Sequence, residues 1–348
     1  MQSSNHIDRR TVLKGAMAFA AMAGLGEAPA RAAGNLRVMT WEGYSDDQWV
    51  KRFEGQSGAS VSISYIGSGD EEFARAVASK GADFDIVTPD ISAVRHYVDQ
   101  GLLLPIDASK IPNLAKLLPN LQNLPGLQTG GKTYGVPFAW GSLPMVYRTS
   151  AFPQPPNSWG VFWDPANKGK VLIQDDANNN VSWAAIALGF KDPYRLSDEQ
   201  FAAVKQKLIE LKRNALTFYT GLDDGASLFV QGNVELLFPM GQAQSALIRK
   251  KGVDVHETVP VEGASGWIDC WAISAATPDV DLAHAWINAM LEMDVGAYQT
   301  TQYGVASAVN AQANKNIGMD YADKLKWMEA PEDYNKRVQL WNEVKATP

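Results

Sequence analysis

The strongest constraint on the fold is an alternation of short apolar strands with amphipathic helices that runs through once and then starts again. Residues 36–41 read as a buried strand, and 46–53 as a helix with Trp49, Val50 and Phe53 on one face, ended by Gly55. An alternating strand at 61–66 follows. Gly67-Ser68-Gly69 then turns into a helix carrying Phe73 and Val77 at i, i+4 spacing, before a strand at 84–87. Strand, helix, strand, helix, strand is the pattern of a parallel sheet with crossover helices.

The rhythm restarts at Pro144, with a strand at 145–147, a helix around 159–163, a strand at 170–174 and a helix over 180–188. Ser197-Asp198-Glu199-Gln200 has capping-box spacing and opens a helix that puts Phe201, Val204, Leu208 and Leu211 on one side. Strands at 216–219, 234–238, 253–259 and 267–274 follow, and helices from Asp279 onward lead back toward the first unit. The expected fold is α/β with two lobes, each a mixed sheet flanked by helices, joined near Trp140-Gly141. The first lobe is expected over 33–140 and 270–316, the second over 141–269 and 317–348. More than one crossing between sheets makes a hinged cleft, and open α/β sheets bind ligand beyond the carboxyl ends of their strands.

The first 32 residues read as a leader rather than as part of either lobe. Arg9-Arg10-Thr11-Val12-Leu13-Lys14 is a twin-arginine pattern, followed by a weakly apolar stretch at 16–26 and by Ala28-Pro29-Ala30-Arg31-Ala32-Ala33, suited to cleavage after Ala30 or Ala32. Gly24, Gly26 and Glu27 interrupt the apolar stretch, which falls short of the ~20 residues that span a bilayer. The expectation is export through the twin-arginine translocase to a bacterial periplasm, without a lipid anchor, since no Leu-x-Gly-Cys pattern is present. The remaining 316 residues exceed what one core usually serves. Losing four basic and two acidic residues moves the net charge from -7 to -9, which argues against nucleic acid and anionic membrane as partners. Cys270 is the sole cysteine, so no intrachain disulfide can form; its apolar neighbours suggest an inert, buried thiol.

The strand ends collect aromatics and acids. Trp41-Glu42-Gly43-Tyr44, Asp90 to Ser92, Asp175-Asp176 and Trp267-Ile268-Asp269 offer π faces and negative charge, the combination a buried ammonium group requires. Bland readings stand beside these: tryptophans after strands also serve as core, Asp176 could be a helix N-cap, and Asp46-Asp47 reads as one. Catalysis has little support. His6, His96, His256 and His284 are scattered, and no nucleophile elbow, zinc helix or phosphate loop occurs.

In order and spacing, these words resemble the periplasmic spermidine/putrescine-binding proteins of ABC importers. The match includes Trp41-Glu42-Gly43-Tyr44, Asp83-Phe84-Asp85-Ile86-Val87-Thr88-Pro89, the run from Tyr134 to Gly141, Trp163-Asp164-Pro165, Asp175-Asp176 and Trp267-Ile268-Asp269. The resemblance implies a two-lobe fold that closes on ligand like a flytrap, with Trp41 and Tyr44 as an aromatic pair, Trp267 as a wall along the ligand's methylenes, and Asp269 holding an amine. It also implies a second acid at Asp176 and a small hydroxyl at Thr220, with Glu42 beside the aromatic pair. Asn179 stands where spermidine binders carry glutamate, Met240 at or beside a usual tryptophan, and Val305 at a usual tyrosine. Asp90 and Ser92 replace a serine and a tyrosine, so Asp90 could add a carboxylate of its own.

These departures favour a small diamine over a long triamine. The alternative is an amino acid-like amine such as γ-aminobutyrate, whose carboxylate needs a cation among Arg75, Arg148, Arg213 and Arg249. A secreted enzyme and an Fe(III) binder rank lower, the latter for want of adjacent tyrosines. The expected protein is a monomeric receptor with no metal and no cofactor, handing its amine to a membrane permease and its ATPase.

Overall fold

A parallel β–α–β–α–β unit opens the computed structural model, which describes residues 34–331 and 333–348. The expected leader at 1–32, with its arginine pair and cleavage site, lies outside the described residues. The unit comprises β1 (Asn35–Trp41), α1 (Asp47–Ser57), β2 (Ser60–Ile66), α2 (Gly69–Ser79) and β3 (Ile86–Val87), with β1 parallel to both β2 and β3. Asp46 and Ser68 cap the two helices by accepting from the backbone N–H of Gln48 and Glu71. Helix α1 runs past Gly55 and stops at Gly58, whose φ of 72° provides the left-handed turn that ends a helix.

Helix α3 (Val94–Asp99), β4 (Leu103–Leu104), the hairpin β5 (Gln128–Thr129) and β6 (Lys132–Thr133), and β7 (Val136–Ser142) complete the first passage. The chain crosses at Leu143-Pro144, just beyond the expected Trp140-Gly141, into β8 (Met145–Arg148), β9 (Val171–Gln174), α4 (Ala177–Ala187) and α5 (Asp198–Asn214). Then come β10 (Ala215–Tyr219), α6 (Leu222–Gln231), β11 (Leu236–Phe238), α7 (Ala243–Lys250) and β12 (Val255–Thr258). It crosses back into β13 (Ala264–Ser274), α8 (Val280–Met290), α9 (Met293–Tyr303), β14 (Ala306–Ser307), α10 (Ala311–Asn316), β15 (Leu325–Trp327) and α11 (Tyr334–Ala346).

The two lobes are built on two sheets. The larger has the order β14-β7-β13-β3-β1-β2, with β4 and β15 also on β13; the smaller has the order β10-β9-β11-β8-β12. The boundary expected between 269 and 270 falls inside β13, which pairs in the larger sheet over its whole length, and β15 joins that sheet as well. Helix α11 instead packs on α4 and α5 beside the smaller sheet.

The capping box at Ser197 and Gln200 forms as the spacing predicts. The helix expected at 159–163 is a single 3₁₀ turn, because Pro165 holds Asp164 extended (φ -67°, ψ 124°) and stops it. Trp159 and Phe162 are nonetheless fully buried against Trp183, which stacks on Phe238 at 4.1 Å. The opposite core gathers Phe53, Phe138, Trp271 and Trp286 in edge-on and tilted pairs.

Candidate functional site

Because β1, β3 and β13 are neighbours, the turns after β1 and β3 meet the middle of β13. Asp90 and Asp269 form a single antiparallel bridge, fixed by Ile91 N–H to Ile268 O at 2.8 Å and Cys270 N–H to Pro89 O at 3.0 Å. A bulge between Asp269 and Cys270 shifts β13 against β7 at this point, a device that re-aims a side chain. Tyr44, 6% exposed, donates its hydroxyl to Asp269 Oδ2 at 2.6 Å. Ser92 gives Asp90 Oδ1 a backbone N–H at 2.8 Å and its hydroxyl.

Among the described residues Asp90 and Asp269 make no ion pair. Burial, then the charge of Asp90, pushes the Asp269 carboxyl well above the usual aspartate range, and the Tyr44 hydroxyl only partly offsets this. Burial also raises Asp90, against the donors of Ser92. Behind them Glu72 is buried and accepts from Thr88 N–H (3.0 Å), Thr88 Oγ1 (3.3 Å) and Tyr97 Oη (3.1 Å). Burial lifts its carboxyl to about 7, and its charge adds to the pressure on Asp269. Cys270 is buried, and its thiol is pushed well up by burial and by the two aspartates.

A cavity of about 1030 Å³ opens between the sheets beside this cluster. Trp267 lines it from β13, two residues from Asp269 and so on the same face of the strand. The indole lies over Gly141, where a methyl group would collide with the ring. Met240, 40% exposed, lines the opposite wall after β11, and Val305 lines the rim. Asp90 and Asp269 themselves lie outside that lining.

Among the described residues Trp41, Glu42, Asp176, Asn179 and Thr220 make no hydrogen bond to the acid pair. Trp41 ends β1 half-buried, its indole N–H buried without a partner, and Glu42 is exposed. Asp176 is the N-cap of α4, accepting from Asn179 N–H at 2.7 Å, which realises its bland reading. Asn179 Nδ2 donates to Gln174 Oε1 at 3.3 Å, and Thr220 is exposed with its N–H on Asp224 Oδ2 at 3.3 Å. None of these three lines the large cavity. Asp175 is taken by Trp341 Nε1 at 2.6 Å and Lys345 Nζ at 2.9 Å, which pin α11 to the end of β9.

Several cavity residues carried no recognisable signal in the sequence. Tyr303 lies across Gly43, where a Cβ would meet its ring at 2.7 Å, and so brings an aromatic to the rim two residues before Val305. Tyr321 hydrogen bonds Gln242 Nε2 and Ser142 Oγ, each at 3.1 Å. Glu257 lines the cavity from β12. Of the four arginines considered, only Arg249 is among the lining residues. Among the described residues no group of His, Cys, Asp and Glu is placed to hold a metal ion.

Two α/β lobes around an acidic, aromatic crevice define a solute receptor. The sequence profile of the bacterial extracellular solute-binding proteins matches residues 48–326, and the chain belongs to that family, whose members are binding proteins rather than enzymes. It is 26% identical over 331 residues to the spermidine/putrescine-binding periplasmic protein 1 of Haemophilus influenzae, covering 91% of this chain and 89% of that one. Its fold is similar to the spermidine/putrescine ABC transporter substrate-binding protein of Streptococcus pneumoniae (TM-score 0.78, 21% identity, 90% and 99% covered). It is also similar to a GABA receptor (TM-score 0.64, 18% identity, 90% and 97% covered). No described helix is long and apolar enough to cross a membrane.

Proposed function

We propose that this protein captures a small diamine or polyamine between its lobes and delivers it to a membrane permease driven by an ATPase. The observation that carries this reading is the bridged pair of buried Asp269 and half-buried Asp90, which makes no ion pair among the described residues and stands two residues along β13 from Trp267 on the cavity wall. Burying a charge without a partner costs several kcal/mol, so such a pair is a standing demand for a cationic guest. Carboxylates meet an ammonium through charge-assisted hydrogen bonds, and an indole face over its methylenes adds about 0.5–2 kcal/mol. Contacts from both lobes stabilise the closed form, and the permease reads that form. The leader at 1–32 directs twin-arginine export to the periplasm, where the receptor works as a monomer.

An amino acid-like amine is the second reading, favoured by Arg249 on the cavity wall, a cation able to meet a carboxylate. A thermal-shift screen of the mature protein separates the two with putrescine, cadaverine, spermidine, γ-aminobutyrate, choline and neutral sugars. A true ligand adds about 2.7 kcal/mol of apparent stability at a hundredfold excess over its Kd. Diamines should give the largest shift; a shift with γ-aminobutyrate alone selects the second reading, and a shift only with sugars rejects both.

A further inference from the structure

The large cavity holds two carboxylates, and only one of them is withdrawn from solvent. Asp320 is exposed, whereas Glu257 is half-buried on β12, opposite Val146 of β8. Among the described residues Glu257 has no ion-pair partner. Burial raises its carboxyl above the usual range, while Ser245, Arg249 and Gln242 draw it partly back. The cations nearby stand in water: Arg249 and Lys324 are exposed, Arg249 giving its Nη1 to Val255 O at 3.2 Å, and His256 is exposed too. Gln242 shares its amide with the Tyr321 hydroxyl, so the surroundings of Glu257 are ordered before ligand arrives.

We propose that Glu257 is the second cation anchor of the cleft, so that the ligand carries an ammonium at each end and is held from both sheets. This rests on the amine reading above and deepens it. One ammonium sits with Asp90 and Asp269 on the larger sheet, and the other meets Glu257 on the smaller one. The methylenes between them run along Trp267, about 7 Å from Asp269 along the strand. Met240 supplies a pliable wall opposite the indole. Two anchors on different sheets also make the second ammonium the group that draws the lobes together, because a monoamine satisfies one sheet only.

The test is calorimetric titration of the mature chain with putrescine, cadaverine and butylamine, comparing the parent with Glu257→Gln, Glu257→Asp and Asp269→Asn. Glu257→Gln should lose at least tenfold in diamine affinity and leave butylamine unchanged. Glu257→Asp, with its charge kept and its reach shortened, should fall between parent and Gln variant. Asp269→Asn should lose both kinds of ligand. If Glu257→Gln binds putrescine as the parent does while Asp269→Asn fails, the second anchor is refuted and the amine reading stands. Equal weakening of putrescine and butylamine in Glu257→Gln marks a merely structural role and also refutes it. No amine binding by the parent removes the amine reading itself.

Discussion

Asp269 is held next to Asp90 with little water to screen it, and that placement costs the unliganded protein stability. A carboxyl whose pKa is raised on folding stabilises fully below its unfolded value, and this contribution is lost as pH rises through the raised value. Asp269→Asn should therefore erase the amine-induced thermal shift yet melt no lower than the unliganded parent at neutral to alkaline pH. A variant that keeps the shift would remove Asp269 from the site. Glu72 has the same sign: its contribution is whole below about 4.5 and is lost as pH rises through about 7. Denaturation from about pH 5 to about pH 8 should cost the parent on the order of 3 kcal/mol more than Glu72→Gln; parallel profiles would contradict this. Tyr44 and Asp90, which the structure sets beside Asp269, stood out in the sequence because each follows a strand signal, and Asp269 because it closes the Trp267-Ile268-Asp269 word within the last strand. Asp176 illustrates the limit, since an acid before a helix satisfies cap and ligand patterns equally and the structure gives it to the backbone of Asn179. Glu257 escaped notice for another reason: in the strand expected at 253–259 it shares a face with Val253, Val255 and Val259, and that apolar alternation reads as core packing alone.

At the scale of elements, β13 organises the site and α11 braces it. Trp267 reaches the cavity because Gly141, its partner on β7, has no side chain. Gly141→Ala should displace the indole and weaken amine binding about tenfold, or ~1.4 kcal/mol, with the far-UV spectrum unchanged; unaltered affinity would mean the ring does not touch ligand. In α11 the fully buried Arg337 donates to Asp333 Oδ1 (2.8 Å), Ser182 Oγ (2.9 Å) and Pro193 O (2.9 Å). Removing it takes the donor from these three acceptors and from Asn178 Oδ1 (3.3 Å), so Arg337→Ala should lower denaturant stability by about 3–5 kcal/mol. The strand–helix order was readable along most of the chain, since apolar period and caps agree there. The differences have local causes: the helix expected at 159–163 has those bounds but is 3₁₀, with Pro165 barring its extension, and the left-handed cap falls at Gly58 instead of Gly55. The reach of β13 from Ala264 was hidden because the apolar signal starts only at Trp267.

For the whole molecule, two lobes with their own sheets were foreseeable from the restart of the pattern at Pro144, but the assignment of late segments was not. Pairing of β15 with β13 depends on contacts between residues far apart in sequence, which periodicity does not report. The lobes touch through polar groups, including Tyr194 Oη to Lys326 O at 3.3 Å, close enough to Asp90 for that charge to act on the phenol after burial has raised it. Such seams resemble transient interfaces and allow relative motion. The structure of the mature protein with putrescine bound decides whether the crevice is an amine site. One ammonium nitrogen should lie within hydrogen-bond distance of Asp269 or Asp90, with the methylenes against Trp267. A ligand bound elsewhere, or an anion or neutral molecule occupying that crevice from the cell, would contradict it.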